Sequence, residues 1–356
     1  MRTLFRRRKN GDNAAREERD LQHLGRLTLG VAVSVACLWL ATRGTDWSAV
    51  GTVLLAANPA WAITGVAGGV LAIAIRAQRW RVLLRPIGAV GFEPSFSATA
   101  IGFGATAVLP FRVGEVVRPA LLARRTGFSL SATLSTVVLE RLFDILLVVA
   151  CFLAFSLLYA VPPAMRQGAL VLAAVAGGGF AVLVVGERRR SATDRVVQLL
   201  LRPFPLVLRR AITGVVEGFL RGLAGVNDGR TVLGVLAYSV VLWLCNGLPF
   251  MFAMLALGIE APLVPAALAT LVIVAAAVFL PQGPGFVGTW QLGCVTALAL
   301  FGVPTEQAVG FSILTWLMQM LVSAGTGSIC LARQDLSLRQ LLRENAAAAP
   351  PARGAG

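Results

Sequence analysis

The sequence predicts an all-α, polytopic membrane protein with about six full transmembrane helices and two re-entrant helical hairpins. Three observations carry that prediction. Of 356 residues, 57% are hydrophobic and only 14% are charged, with a mean hydropathy of +0.77, far outside the composition of soluble globular domains. Apolar runs long enough to span a bilayer recur between clusters of Arg. Two further apolar stretches are interrupted by Gly and Pro and have matching flanks on both sides, the pattern of a segment that enters and leaves by one face.

The formal charge of +15 comes from 31 Arg and a single Lys, Lys9. These residues fall between the apolar segments, which marks a membrane face and argues against a nucleic-acid partner. Cys37, Cys151, Cys245, Cys294 and Cys330 all lie in apolar sequence without C-x-x-C spacing and read as small core residues. The single His23 sits in the polar N-terminal tail, so neither a His-based triad nor a His-rich metal site can be assembled. No cofactor and no metal are expected.

Residues 1–25 form a basic tail with Arg2, Arg6, Arg7, Arg8 and Lys9, read as cytoplasmic. The transmembrane domain runs over 26–335. Its first span is Leu27–Thr42, uncleaved because no small-residue cleavage site follows it. The second, Asn58–Ile75, ends in Arg76, Arg79, Arg81 and Arg85, which read more as an orienting flank than as a site. Residues 94–110 are apolar but rich in Gly and Ser, with basic stretches on either side. A helix of about 15 residues rises only ~22 Å against a ~30 Å hydrocarbon core, so this segment is expected to dip in and return.

Leu130–Ala160 and Gly168–Gly186 are the third and fourth spans. Residues 193–225 carry Leu208, Ile212, Val216, Phe219 and Leu223 on one face and Arg210, Glu217 and Arg221 on the other, an interfacial amphipathic pattern. Val232–Ile259 is the fifth span. The uncharged stretch 261–305 is broken by PQGPG at 281–285 and reads as a second hairpin, entering from outside, or else as two full spans. Ala308–Ala332 is the sixth span, and 336–356 reads as a disordered tail. The two hairpin turns share Leu-Pro and a following Val-Gly, LPFRVGE at 109–115 and LPQGPGFVGT at 280–289. That is what an inverted-topology repeat would leave in the sequence, or two coincident dipeptides.

Six charged residues stand in or beside apolar sequence: Arg112, Glu115, Arg118, Glu140, Arg141 and Asp144. Each costs roughly 2.5 to 3.5 kcal/mol at the centre of a membrane helix, so they are expected to neutralise one another in a cluster between helices. Glu140 and Asp144, four apart, share one helical face. Arg112, Glu115 and Arg118 read either as a headgroup site, with Arg gripping phosphate through its planar fork, or as ion pairs that lock the hairpin.

The run RAQRWR at 76–81, LPFRVGE at 109–115, VVLERLFD at 137–144 and PGFVGT at 284–289 resembles the transmembrane domain of lysylphosphatidylglycerol synthases, a flippase-like family. The resemblance covers roughly 25–335. It implies translocation of a phospholipid or lipid-linked substrate, with membrane lipids of anionic headgroup and envelope-lipid biosynthesis enzymes as partners. Because too few residues follow 335 for the soluble aminoacyltransferase domain, it implies a transporter-like domain rather than a synthase, in the cytoplasmic membrane with both termini inside. It adds the second loop to the substrate site: Pro284, Gly285, Gly288, Trp290 and Gln291. The sequence departs from the family's P-G-G-x-G followed by an acid, since Phe286 replaces the middle Gly and Gln291 stands where the acid would. Two other functions stay open, a transferase acting on a lipid carrier and a non-transporting partner of an envelope-synthesis complex.

Overall fold

The computed structural model describes residues 28–109, 112–158, 163–202, 205–277 and 283–334. The basic tail at 1–25, the tail at 336–356, Pro110 and the Leu280-Pro281 step lie outside them. All regular structure among the described residues is helical. Four helices are long and apolar enough to cross a membrane: α3 (Pro59–Leu84), α7 (Pro163–Arg188, over its stretch Arg166–Arg188), α10 (Gly229–Leu257) and α13 (Thr305–Ala332). A fifth span arises if α1 (Thr28–Thr42) and α2 (Trp47–Leu55), bent by 84° where Asp46 caps α2, are taken together. The 29-residue α6 (Leu130–Leu158) matches α10 in length but carries three charges in its first half.

Two short helix pairs form the hairpins, α4 (Phe92–Val108) with α5 (Gly114–Thr126), and α11 (Leu263–Ala277) with α12 (Thr289–Ala299). Each hairpin stands between two long helices. The helix lengths run 26, 17, 13 and 29 residues for α3–α6, and 29, 15, 11 and 28 for α10–α13. Neighbours correspond as well: α6 packs on the opposite hairpin through α11, and α13 on α4. At the turns, Arg112-Val113-Gly114 matches Phe286-Val287-Gly288, and Arg112 (φ 51°) and Phe286 (φ 61°) are the two non-glycine residues with positive φ among the described residues. A side chain is held in that strained region only where the surroundings impose it, so its recurrence at matched positions supports a structural repeat.

The repeat is inverted. Along the α3–α10 interface Gly65 meets Phe252, Gly68 meets Leu248, Gln78 meets Tyr238 and Gly234 meets Val82, so the two helices run antiparallel. Small residues Gly65, Gly68 and Ala72 let the backbones close, and Gly69 admits Val322 of α13, the usual device of membrane helix packing. The hairpins consequently enter from opposite ends, and their turns meet inside, with Gly285 against the Ala107 carbonyl.

One end of the molecule gathers Arg85, Arg124, Arg125, Arg188, Arg189 and Arg230, as contacts of Gly88 with Phe128, Gly225 with Pro86 and Arg188 with Asn227 establish. At the other end, where Asn58 N–H donates to Ala256 O over 2.7 Å, stand Asp46, Glu260 and Glu306 with Arg43.

Residues 193–225 differ from expectation. They belong to two helices, α8 (Arg190–Leu200) and α9 (Leu206–Leu223). The C-terminal half of α9 turns its apolar face to the protein: Leu220 and Leu223 are buried, Val216 and Phe219 pack on the same cluster, and Gly218 and Gly222 admit Ser131 and Ser135 of α6. The interfacial pattern is kept by α8, with Val196, Leu199 and Leu200 exposed, and by the first turn of α9, with Leu206 and Leu208 exposed. The five cysteines are free thiols, buried or half-buried, as small core residues should be.

Candidate functional site

The charged side chains converge where α3, α5 and α6 face the first hairpin turn. Glu140 lies ten residues into the 29-residue α6, about 15 Å along the helix. It is fully buried and accepts from three guanidinium groups. Arg79 Nη2 stands 3.0 Å from Oε1, Arg76 Nη1 3.2 Å from it, and Arg118 grips both oxygens. One helical turn on, Asp144 takes both Arg79 nitrogens, at 2.6 and 3.2 Å, and Arg76 at 3.4 Å. Ser239 of α10 accepts from Arg79 at 3.0 Å. Aromatic faces complete the coordination, with Arg118 4.2 Å over Trp80 and Arg76 5.0 Å over Phe103.

Arg76 and Arg79 therefore do more than the orienting role expected from sequence. The second span runs on to Leu84 rather than stopping at Ile75, because these two guanidinium groups end inside the protein on carboxylates. Spaced three apart, they face one way, as Glu140 and Asp144 do on α6.

A second, looser group stands at the wall of the cavity. Glu115 lies 3.5 Å from Arg112 and 3.8 Å from Arg141, whose Nη1 is 3.7 Å from Asp144. All three side chains keep about a third of their surface exposed, 30%, 32% and 28% for Arg112, Glu115 and Arg141. The six residues expected from sequence would balance in charge. With Arg76 and Arg79 added, five guanidinium groups meet three carboxylates, a formal excess of two positive charges.

A cavity of about 230 Å³ opens between the two hairpin turns. Arg76, Arg112, Glu115, Arg118 and Arg141 form its charged wall; Phe103, Phe250, Leu271, Phe286 and Trp290 form an apolar one. Every predicted residue of the first hairpin thus reaches it, whereas Glu140 and Asp144 stand behind the wall and hold its Arg residues. The second loop divides. Trp290 lines the cavity and donates to Thr315 Oγ1 over 3.1 Å. Gln291 does not: its Oε1 accepts the Gly288 N–H at 2.7 Å and caps α12. Pro284, Gly285 and Gly288 shape the backbone, with Trp316 donating to Gly285 O at 2.6 Å and the Ser34 carbonyl lying where a Gly288 Cβ would go.

Sequence reading missed Phe286 as a wall residue, and the polar residues Asn246, Gln319 and Ser323 on the cavity wall. Gln319 donates to Ser323 over 2.8 Å at a π-turn, Leu321–Gly325, a distortion often found at functional sites. Isolated amides inside apolar spans were the available signal.

A family model described as the lysylphosphatidylglycerol synthase TM region matches residues 27–327. Glycosyltransferase AglD of Haloferax volcanii is 24% identical over 353 residues, covering 90% of this chain and 56% of that protein. The chain thus spans little more than half the length of that curated relative.

Proposed function

From the premise that this chain belongs to the lysylphosphatidylglycerol synthase TM region family, we propose that it binds the headgroup of an anionic phospholipid or lipid-linked substrate between its hairpins and moves it across the cytoplasmic membrane. One observation carries the reading: a cavity between the two hairpin turns, lined by four guanidinium groups and one carboxylate. Guanidinium pairs with phosphate bidentately, and ionisable groups inside a membrane domain mark substrate paths. The apolar wall suits acyl or isoprenoid carbon. Opposed broken helices meeting at the midplane are how many secondary transporters build a substrate site.

Orientation follows from the Arg-rich end, which the positive-inside rule assigns to the cytoplasm along with both termini. A single Cys introduced at Arg124 in a Cys-free background should resist membrane-impermeant maleimide added outside intact cells, while one at Glu306 should react. Labelling in the opposite sense would reverse the assignment.

The transport reading is tested by reconstitution into vesicles carrying fluorescent phospholipid. Wild type is expected to expose inner-leaflet lipid to dithionite faster than empty vesicles, and Arg112→Lys, which keeps the charge but loses the fork, to slow this about tenfold. Equal rates with and without protein across a panel of envelope lipids would defeat transport. A second reading, a membrane subunit of glycosyl transfer on a lipid carrier, draws on the relative's name. Sugar transfer without lipid movement in the same vesicles would favour it.

A further inference from the structure

The three carboxylates are not equally engaged. Arg76, Arg79 and Arg118 are held by Glu140 and Asp144, with most contacts between 2.6 and 3.4 Å and no side chain among them more than 11% exposed. Arg112 and Arg141 share Glu115, at 3.5 and 3.8 Å, well beyond the 2.7–2.9 Å of a charge-assisted hydrogen bond. The Nε of Arg141 is buried and makes no hydrogen bond. All three side chains line the cavity. A carboxylate suspended between two arginines at long range, on a wall open to a cavity, is easily exchanged.

We propose that Glu115 is a tethered counter-anion, occupying in the empty site the place that a ligand's phosphate oxygens take between Arg112 and Arg141. The inference rests on the headgroup-binding reading above and names the ligand's charge class. With Glu115 displaced, five guanidinium groups face two carboxylates, an excess of three positive charges. A dianionic headgroup, a phosphomonoester or a pyrophosphate on an apolar chain, offsets two of the three, and a monoanionic phosphodiester only one. Entry of the phosphate frees Glu115 to turn toward the open side of the cavity, where its side chain already keeps 32% of its surface exposed. Return of the carboxylate then competes the headgroup off, so that the site does not become a trap.

Binding is measured on the purified full chain in neutral detergent by native mass spectrometry, with the change in total tryptophan fluorescence, to which Trp290 on the cavity wall contributes, as a second readout. Probes are farnesyl phosphate, farnesyl pyrophosphate and dioleoyl phosphatidylglycerol. Wild type is expected to bind both farnesyl probes at least tenfold tighter than phosphatidylglycerol. Glu115→Gln, which keeps the shape and removes the charge, should bind every probe about five- to tenfold tighter and release it more slowly in the vesicle assay. Thermal melting establishes that the variant is folded, and Glu115→Ala should shift affinity in the same direction. If wild type binds and moves lipid while both Glu115 variants leave affinity unchanged or weaker, the counter-anion is refuted and the transport reading stands. Equal affinity for phosphatidylglycerol and the farnesyl probes overturns the dianion preference. If no probe binds to any variant, the headgroup reading falls and takes this inference with it.

Discussion

Glu140→Ala is expected to leave little folded protein in detergent extracts. Three guanidinium groups converge on this carboxylate, which is wholly buried, and deleting it leaves Arg76 and Arg79 to Asp144 and takes from Arg118 the carboxylate it grips. Breaking a buried pair in this way costs about 3–5 kcal/mol, comparable to the whole stability of many proteins, about 5–15 kcal/mol. Glu140→Gln keeps the shape of the side chain but not the charge, and should fall between. Arg118→Met combined with Glu140→Met should recover part of the loss of Glu140→Met alone, because the pair is then removed together and an apolar replacement often costs little. Melting temperature by fluorescence-detected size exclusion reads all four variants. A Glu140→Ala protein that melts with wild type would mean that the cluster is not what holds α3, α5 and α6 together. Glu115→Gln supplies the contrast, since its carboxylate is a third exposed and its pairs are long.

The second large effect is expected at Gly114, where the first hairpin closes. A Cβ there would run into the Gly102 carbonyl and Thr106 Oγ1 across the hairpin. The obstruction is largely backbone and cannot rotate away. Gly114→Ala should therefore cost the upper part of the roughly 1–3 kcal/mol of an overpacked core, and it should push α5 off α4, carrying Arg118 away from Glu140. Gly177 in α7 is the control, since a Cβ added there would meet nothing within 4 Å; Gly177→Ala should be neutral or stabilising by about 0.5–1 kcal/mol, as in other helix interiors. The same melts compare the two, and lipid scrambling reports whether the hairpin still forms a site. Equal stability of Gly114→Ala and Gly177→Ala would show that α4 and α5 have room to separate without loss.

Much of this architecture was legible because the bilayer imposes length and polarity on each segment separately. Apolar runs, Arg flanks and the Gly/Pro breaks at 109–115 and 281–285 pointed to an all-helical membrane fold with two hairpins before any contact was known. The pairing within the charge cluster was only half legible. Arg112, Glu115, Arg118, Glu140, Arg141 and Asp144 stood out because charge in apolar sequence is costly. Arg76 and Arg79 did not, since an Arg at the end of an apolar run looks the same whether it meets water or a carboxylate. The inverted repeat left two shared dipeptides in the sequence, too little to decide it.

What the sequence alone determined, then, is which segments are apolar enough for a membrane and which charges require partners, because both follow from the cost of exposing one residue to hydrocarbon. Tertiary structure alone decided who the partners are. The antiparallel packing of α3 on α10 brings the hairpin turns together from opposite ends, and the meeting of α3, α5 and α6 assigns Arg118 to Glu140 and leaves Arg141 to Glu115. That assignment separates Glu140 and Asp144, which hold their arginines closely, from Glu115, which holds its two at longer range on the cavity wall. It depends on distances between residues up to 68 positions apart, which no local pattern encodes.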